Sequence, residues 1–160
     1  MVRAAPGPSA RGNIVAAIAA AVALVLHLAS AGRYGYFRDE LYFIACAKHL
    51  AWGYVDQPPL VAVAAWLSSP AGYSLVALRA LPVVAAALTA ALAATMAGEL
   101  GGGRFARVLA ALATILTPAY LLLGNTLTTT SFEPLSWTLA AYCAVRIVRG
   151  GGATWWIAAS

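Results

Sequence analysis

The chain has 160 residues, of which 62% are hydrophobic and 9% charged, and its formal net charge is +5. A soluble domain would carry roughly a quarter charged residues and a disordered chain far less apolar content, so both classes are excluded. Cys46 and Cys143 are the only cysteines, too few for a disulfide scaffold. At about 20 residues per crossing, the apolar stretches supply about four membrane spans and the start of a fifth, and the fold class expected is all-α, a polytopic transmembrane helical bundle. The basic excess calls for no nucleic acid, because Arg and Lys flanking spans on the cytoplasmic side produce it.

Residues 1–12 carry Arg3 and Arg11 with Pro6 and Pro8 and read as a cytoplasmic basic flank. The first span runs from Asn13 to about Ala31, with His27 and Ser30 its polar interruptions. A signal peptide is the competing reading, because Ala29-Ser30-Ala31 resembles a small-residue cleavage site. Either way, Gly32 onward starts on the outer face. Residues 33–74 form the long polar outer segment, in which Arg33, Arg38, Asp39, Glu40, Lys48, His49 and Asp56 alternate with interfacial Tyr and Trp. Within it, Asp39 to Ala51 is expected to form a surface helix whose Tyr42, Phe43, Cys46 and Leu50 share a face. Pro58-Pro59 breaks it, and Leu60 to Leu67 reads as a second interfacial helix.

The second span is expected from about Leu75 to Gly98, followed by the Gly101-Gly102-Gly103 turn. The third runs from about Phe105 to Leu123 with a kink at Pro118, and the fourth from about Phe132 to Val148. Gly150-Gly151-Gly152 precedes Trp155-Trp156, where a fifth begins. With the amino terminus inside, Arg104, Arg107, Arg146 and Arg149 are cytoplasmic, while Arg33, Arg38, Lys48 and Arg79 lie outside. The protein is therefore expected in the cell membrane as a multi-pass chain, with Cys46 and Cys143 too far apart to pair.

This topology places Asp39, Glu40, Asp56 and Glu133 on the outer side and Glu99 alone inside. Acids beside an apolar interface are costly unless paired, hydrated or functional, which marks a candidate site. Asp39 and Glu40 fit helix capping or reactive carboxylate chemistry, and adjacent helical side chains diverge by about 100°, so capping accounts for one better than both. Arg79 either snorkels to headgroups or holds a phosphate or a carboxylate such as Asp56 or Asp39. Glu133, just before Pro134, caps a helix or adds a second carboxylate to the outer cavity. His49 could touch an anionic ligand, and His27 and His49 give little support for zinc.

Four segments in this order resemble a known family: Tyr36-Phe37-Arg38-Asp39-Glu40-Leu41-Tyr42-Phe43, Gly53-Tyr54-Val55-Asp56-Gln57-Pro58-Pro59-Leu60, Leu78-Arg79-Ala80-Leu81-Pro82, and Pro118-Ala119-Tyr120 with Thr130-Ser131-Phe132-Glu133-Pro134-Leu135. Together they look like the amino-terminal part of a family 39 glycosyltransferase. This is the membrane-embedded GT-C class of protein O-mannosyltransferases, aminoarabinose transferases and lipid A galacturonosyltransferase-like proteins. The resemblance implies catalytic Asp39 and Glu40, with Asp39 as base for an inverting transfer from a polyprenyl-phosphate sugar donor to an acceptor hydroxyl on a protein, lipid or glycan. The departing lipid phosphate would be stabilised by cationic groups or a divalent metal; Arg79 matches the family arginine, with Arg38 and His49 nearby. No cofactor or metal ligand is assigned.

Two departures stand out: Glu133 lies one residue closer to Pro134-Leu135 than the family's acid, and Gln57 stands where some members carry Lys. Members of the family are several hundred residues long, so the resemblance implies a portion of such an enzyme that need not be active alone. The rival reading from a different class is a noncatalytic membrane subunit or a lipid-binding or transport module. Membrane lipid is a partner in either case.

Overall fold

The computed structural model describes residues 10–150 and residue 155. Among them the ordered elements are helical, with no strand: α1 (Ala10–Ala31), α2 (Arg38–Ala47), α3 (Leu60–Trp66), α4 (Leu75–Glu99), α5 (Arg104–Leu116), α6 (Pro118–Gly124) and α7 (Glu133–Val148). The basic flank before residue 10 and most of the expected fifth span lie outside the described residues.

Two helices are long and apolar enough to cross a membrane, α1 through Ile14–Ala31 and α4 through Leu75–Glu99. A third crossing exists if α5 and α6 count as one broken span, since they meet at a 65° bend. The bend has a local cause. Thr117 precedes Pro118 and takes extended backbone angles (φ −65°, ψ 122°), because a residue before proline is pushed out of the α region. The expected fourth span forms a helix of 16 residues, short of the length that crosses unaided.

Alanine patterning builds the central pair. Along α1, Ala19, Ala23, His27 and Ala31 recur at intervals of four residues and are all buried. Arg79, Val83, Ala87, Ala90 and Ala94 make the corresponding buried stripe of α4. Small residues at helical spacing let two backbones approach closely, which drives helix association where lipid removes the hydrophobic incentive. Ala19, Ala23, Ala87, Ala90 and Ala94 form one core with Ala111 and Ile115 of α5. Thr89, Thr95, Thr114 and Thr138 each bond a carbonyl four residues back, so their hydroxyls are satisfied within their own helices.

A second core joins the polar segment to this scaffold: Phe43 and Ala47 of α2, Val61, Ala64 and Ala65 of α3, Leu78 of α4, and Leu127 from the turn after α6. The surface helix is shorter than expected. It ends at Ala47, and its buried face is Glu40, Phe43, Cys46 and Ala47, while Tyr42 and Leu50 are exposed. Helix α3 matches the second expected segment within a residue.

Candidate functional site

The first turn of α2 separates its two acids as the 100° helical increment requires. Glu40 turns inward and is fully buried, whereas the Asp39 side chain is 38% exposed. Glu40 meets Arg79 in a bidentate pair, with Nε donating to Oε1 and Nη2 to Oε2, both at 2.8 Å. Its Oε2 also accepts the Phe37 N–H at 2.8 Å, the reach-back bond of a helix-capping glutamate, and Oε1 accepts the Leu127 N–H at 3.0 Å. Burial disfavours the charged carboxylate, but the Arg79 hydrogen bonds, the Phe37 and Leu127 N–H groups and the guanidinium charge outweigh it. The Glu40 carboxyl therefore lies below its ordinary 4.5.

Arg79 uses all its donors internally. Beyond Glu40, Nη1 donates to Ala31 O at 2.6 Å and Tyr34 O at 3.4 Å, and Nη2 to Gly35 O at 2.9 Å. An arginine carries five N–H donors, so none is left for a lipid phosphate. The expected snorkelling and the expected pairing with Asp39 or Asp56 are both replaced by this arrangement. Arg79 and Glu40 tie together the end of α1, the 32–37 loop, α2, α4 and the turn after α6, and their geometry is that of an architectural centre.

Asp39 faces a different environment. It lines an open cleft of about 490 Å³ with Arg38, Tyr42, Val55 and Asp56. Arg38 Nε lies 3.2 Å from Asp39 Oδ1, on a side chain that is 91% exposed. The Tyr42 hydroxyl donates to Asp56 Oδ1 at 2.8 Å, and that bond is the foremost reason the phenol is held above its ordinary 10. The cleft thus brings together two carboxylates, a neutral phenol and a guanidinium. Tyr42 was legible only as an interfacial aromatic; its spacing of three from Asp39 on one helix is the signal that puts both over the cleft.

The other expected site residues lie elsewhere. His49 is exposed in the turn after α2, where its carbonyl accepts the Tyr54 hydroxyl, and Glu133 is exposed at the start of α7; neither lines the cleft. Gln57 is buried and donates through Nε2 to Cys46 Sγ at 3.7 Å, so it serves packing beneath the cleft. Cys46 and Cys143 are both buried free thiols. No group of three or more metal-ligating side chains occurs among the described residues.

A second depression of about 510 Å³ lies beside the Arg79 centre, lined by Tyr34, Phe37, Leu121, Leu122 and Asn125 among others. Its walls are mostly apolar, and Asn125 in its lining accepts the Ser30 hydroxyl at Oδ1 over 2.8 Å.

No family model matches this chain, and neither a curated protein nor a solved structure matches it.

Proposed function

We infer that this chain supplies the catalytic loop of a membrane glycosyltransferase that uses a polyprenyl-phosphate sugar on the outer face. The observation that carries the reading is the division of the acidic pair. Glu40 is locked by Arg79, while Asp39 stands over an open cleft with Tyr42 and Asp56. In this reading Asp39 is the catalytic base and Glu40 a positioning residue that fixes the pitch of α2.

The Asp39 carboxylate accepts the proton of an acceptor hydroxyl as its oxygen attacks the anomeric carbon of the donor. The bond from that carbon to the phosphate oxygen breaks, and the lipid phosphate leaves with the electron pair, which inverts the configuration. Arg38 is the cation at the cleft able to stabilise the departing phosphate, since Arg79 has no free donor. Asp56, held by Tyr42, orients the acceptor or sugar hydroxyls. The adjacent apolar depression favours a second reading, a lipid-binding module without chemistry.

Transfer of radiolabelled sugar from polyprenyl-phosphate donors, in membranes carrying the chain, separates them. Asp39→Asn and Asp56→Asn should both reduce transfer, the first by about 10²–10⁴-fold as expected for a lost general base. Lipid retention without transfer by the unaltered chain supports the binding module.

A further inference from the structure

We propose that the far end of the bundle, opposite the Asp39 cleft, binds an anionic phospholipid, with the headgroup on an arginine cluster and an acyl chain in the groove between α4 and α7. This site is independent of the transfer reaction.

The cluster is built from three helix ends. Glu99 closes α4, Arg104 and Arg107 open α5 after the glycine turn, and Arg146 and Arg149 lie at the end of α7. Glu99 is shared: Arg146 Nη1 lies 3.0 Å from its Oε1 and Arg149 Nη1 lies 3.6 Å from its Oε2. The Arg107 guanidinium rests on the backbone of Gly98, where a Cβ would come within 1.9 Å of its Cζ. Four arginines against one glutamate leave three positive charges uncompensated among the described residues. The side chains of Arg146 and Arg149 stay 28% and 24% exposed, and each guanidinium pairs with Glu99 through a single nitrogen, which leaves further N–H donors for an added anion.

Two further observations point to lipid as the anion's carrier. Arg146 stacks over the Trp155 ring at 4.8 Å, and Trp155 meets Tyr142 edge-on at 5.6 Å. Tyr and Trp beside arginines mark the depth at which headgroups lie. Directly next to the cluster, α4 and α7 leave an apolar groove of about 440 Å³. Its α4 wall is Ala93, Met96, Ala97 and Leu100, a stripe at helical spacing, and Trp137 and Ala141 of α7 stand opposite. An open apolar groove whose α4 wall reaches Leu100, the residue after the arginine-paired Glu99, beside uncompensated positive charge matches the chemistry of an anionic phospholipid, and not that of a free phosphate or a zwitterionic lipid.

The test is lipid retention by the full chain, purified from detergent after equilibration with equal amounts of phosphatidylglycerol and phosphatidylcholine, and read by native mass spectrometry. The chain should retain phosphatidylglycerol over phosphatidylcholine, and each arginine removed should weaken that preference by about fivefold. Arg107→Gln breaks no ion pair among the described residues and so tests the charge without orphaning Glu99; Arg146→Gln adds the contact residue. Ala97→Leu should fill the groove and lower retention of both lipids. Equal retention of the two lipids, a preference unchanged in Arg107→Gln and Arg146→Gln, or a dimer free of lipid adducts would overturn the proposal.

Discussion

Glu40 and Arg79, separated by 39 residues, close two parallel hydrogen bonds of 2.8 Å inside the protein, and the end of α1, the 32–37 loop, α2, α4 and the turn after α6 are tied to them. A buried pair of this kind is weak support for stability when weighed against an apolar substitute, yet breaking it leaves an isolated buried charge.

Arg79→Ala and Glu40→Ala should therefore each destabilise the fold by about 3–5 kcal/mol. Arg79→Lys should recover little, because an ammonium cannot reproduce the planar fork that reaches Glu40 and three carbonyls at once. Thermal melting of the helical signal in detergent measures both. Melting temperatures equal to the unaltered chain would show that the pair contributes little.

The same pair sets an acid limit. The folded Glu40 carboxyl lies below its ordinary 4.5, so its contribution is present above that value and is lost as pH falls through the lower folded value. A melting series should show a decline beginning below about pH 4.5 that Glu40→Gln, already destabilised, lacks. An identical acid profile in the two proteins would contradict the assignment.

Two glycines should respond unequally to alanine. A Cβ at Gly124 would lie 2.5 Å from His27 Cε1 and 2.9 Å from Ala86 Cβ, all in packed helices. Gly124→Ala should cost about 1–3 kcal/mol through overpacking. At Gly98 the obstruction is the end of the flexible Arg107 side chain, which can swing away, so Gly98→Ala should be near neutral. The two melting temperatures, measured side by side, check the contrast.

Tyr42 should ionise late. Its bond to Asp56 holds the phenol above its ordinary 10, so phenolate absorbance lost in Tyr42→Phe should appear only at pH above 10. A difference spectrum that develops at pH 10 or below would show that the bond does not form in solution.

The helical framework was largely legible because apolar length, proline and glycine act locally. Leu75, the Gly101-Gly102-Gly103 turn and Pro118 mark real boundaries, and the break at Pro118 proved a 65° bend. The fourth apolar stretch coincides with α7 within a residue, but at 16 residues it falls short of the length that marks a crossing. The acidic pair was legible as a candidate site, and the divergence of its two side chains followed from helical phase. The partner of Arg79 was not, because Asp39, Glu40 and Asp56 are equivalent to a reader of charge alone. The missed clue lies in α2 itself: Glu40 falls in line with Phe43 and Ala47 on the apolar face, whereas Asp39 does not. His49 and Glu133 were grouped with the cleft by topology, and a shared side of the membrane is too coarse to fix proximity.

The most direct test of the division between Asp39 and Glu40 is a paired measurement on Asp39→Asn and Glu40→Gln, scoring sugar transfer from a polyprenyl-phosphate donor together with thermal melting. Asp39→Asn should melt like the unaltered chain and lose transfer, while Glu40→Gln should lose melting temperature first and transfer with it. Normal transfer by Asp39→Asn, or a loss of melting temperature equal to that of Glu40→Gln, would contradict the account.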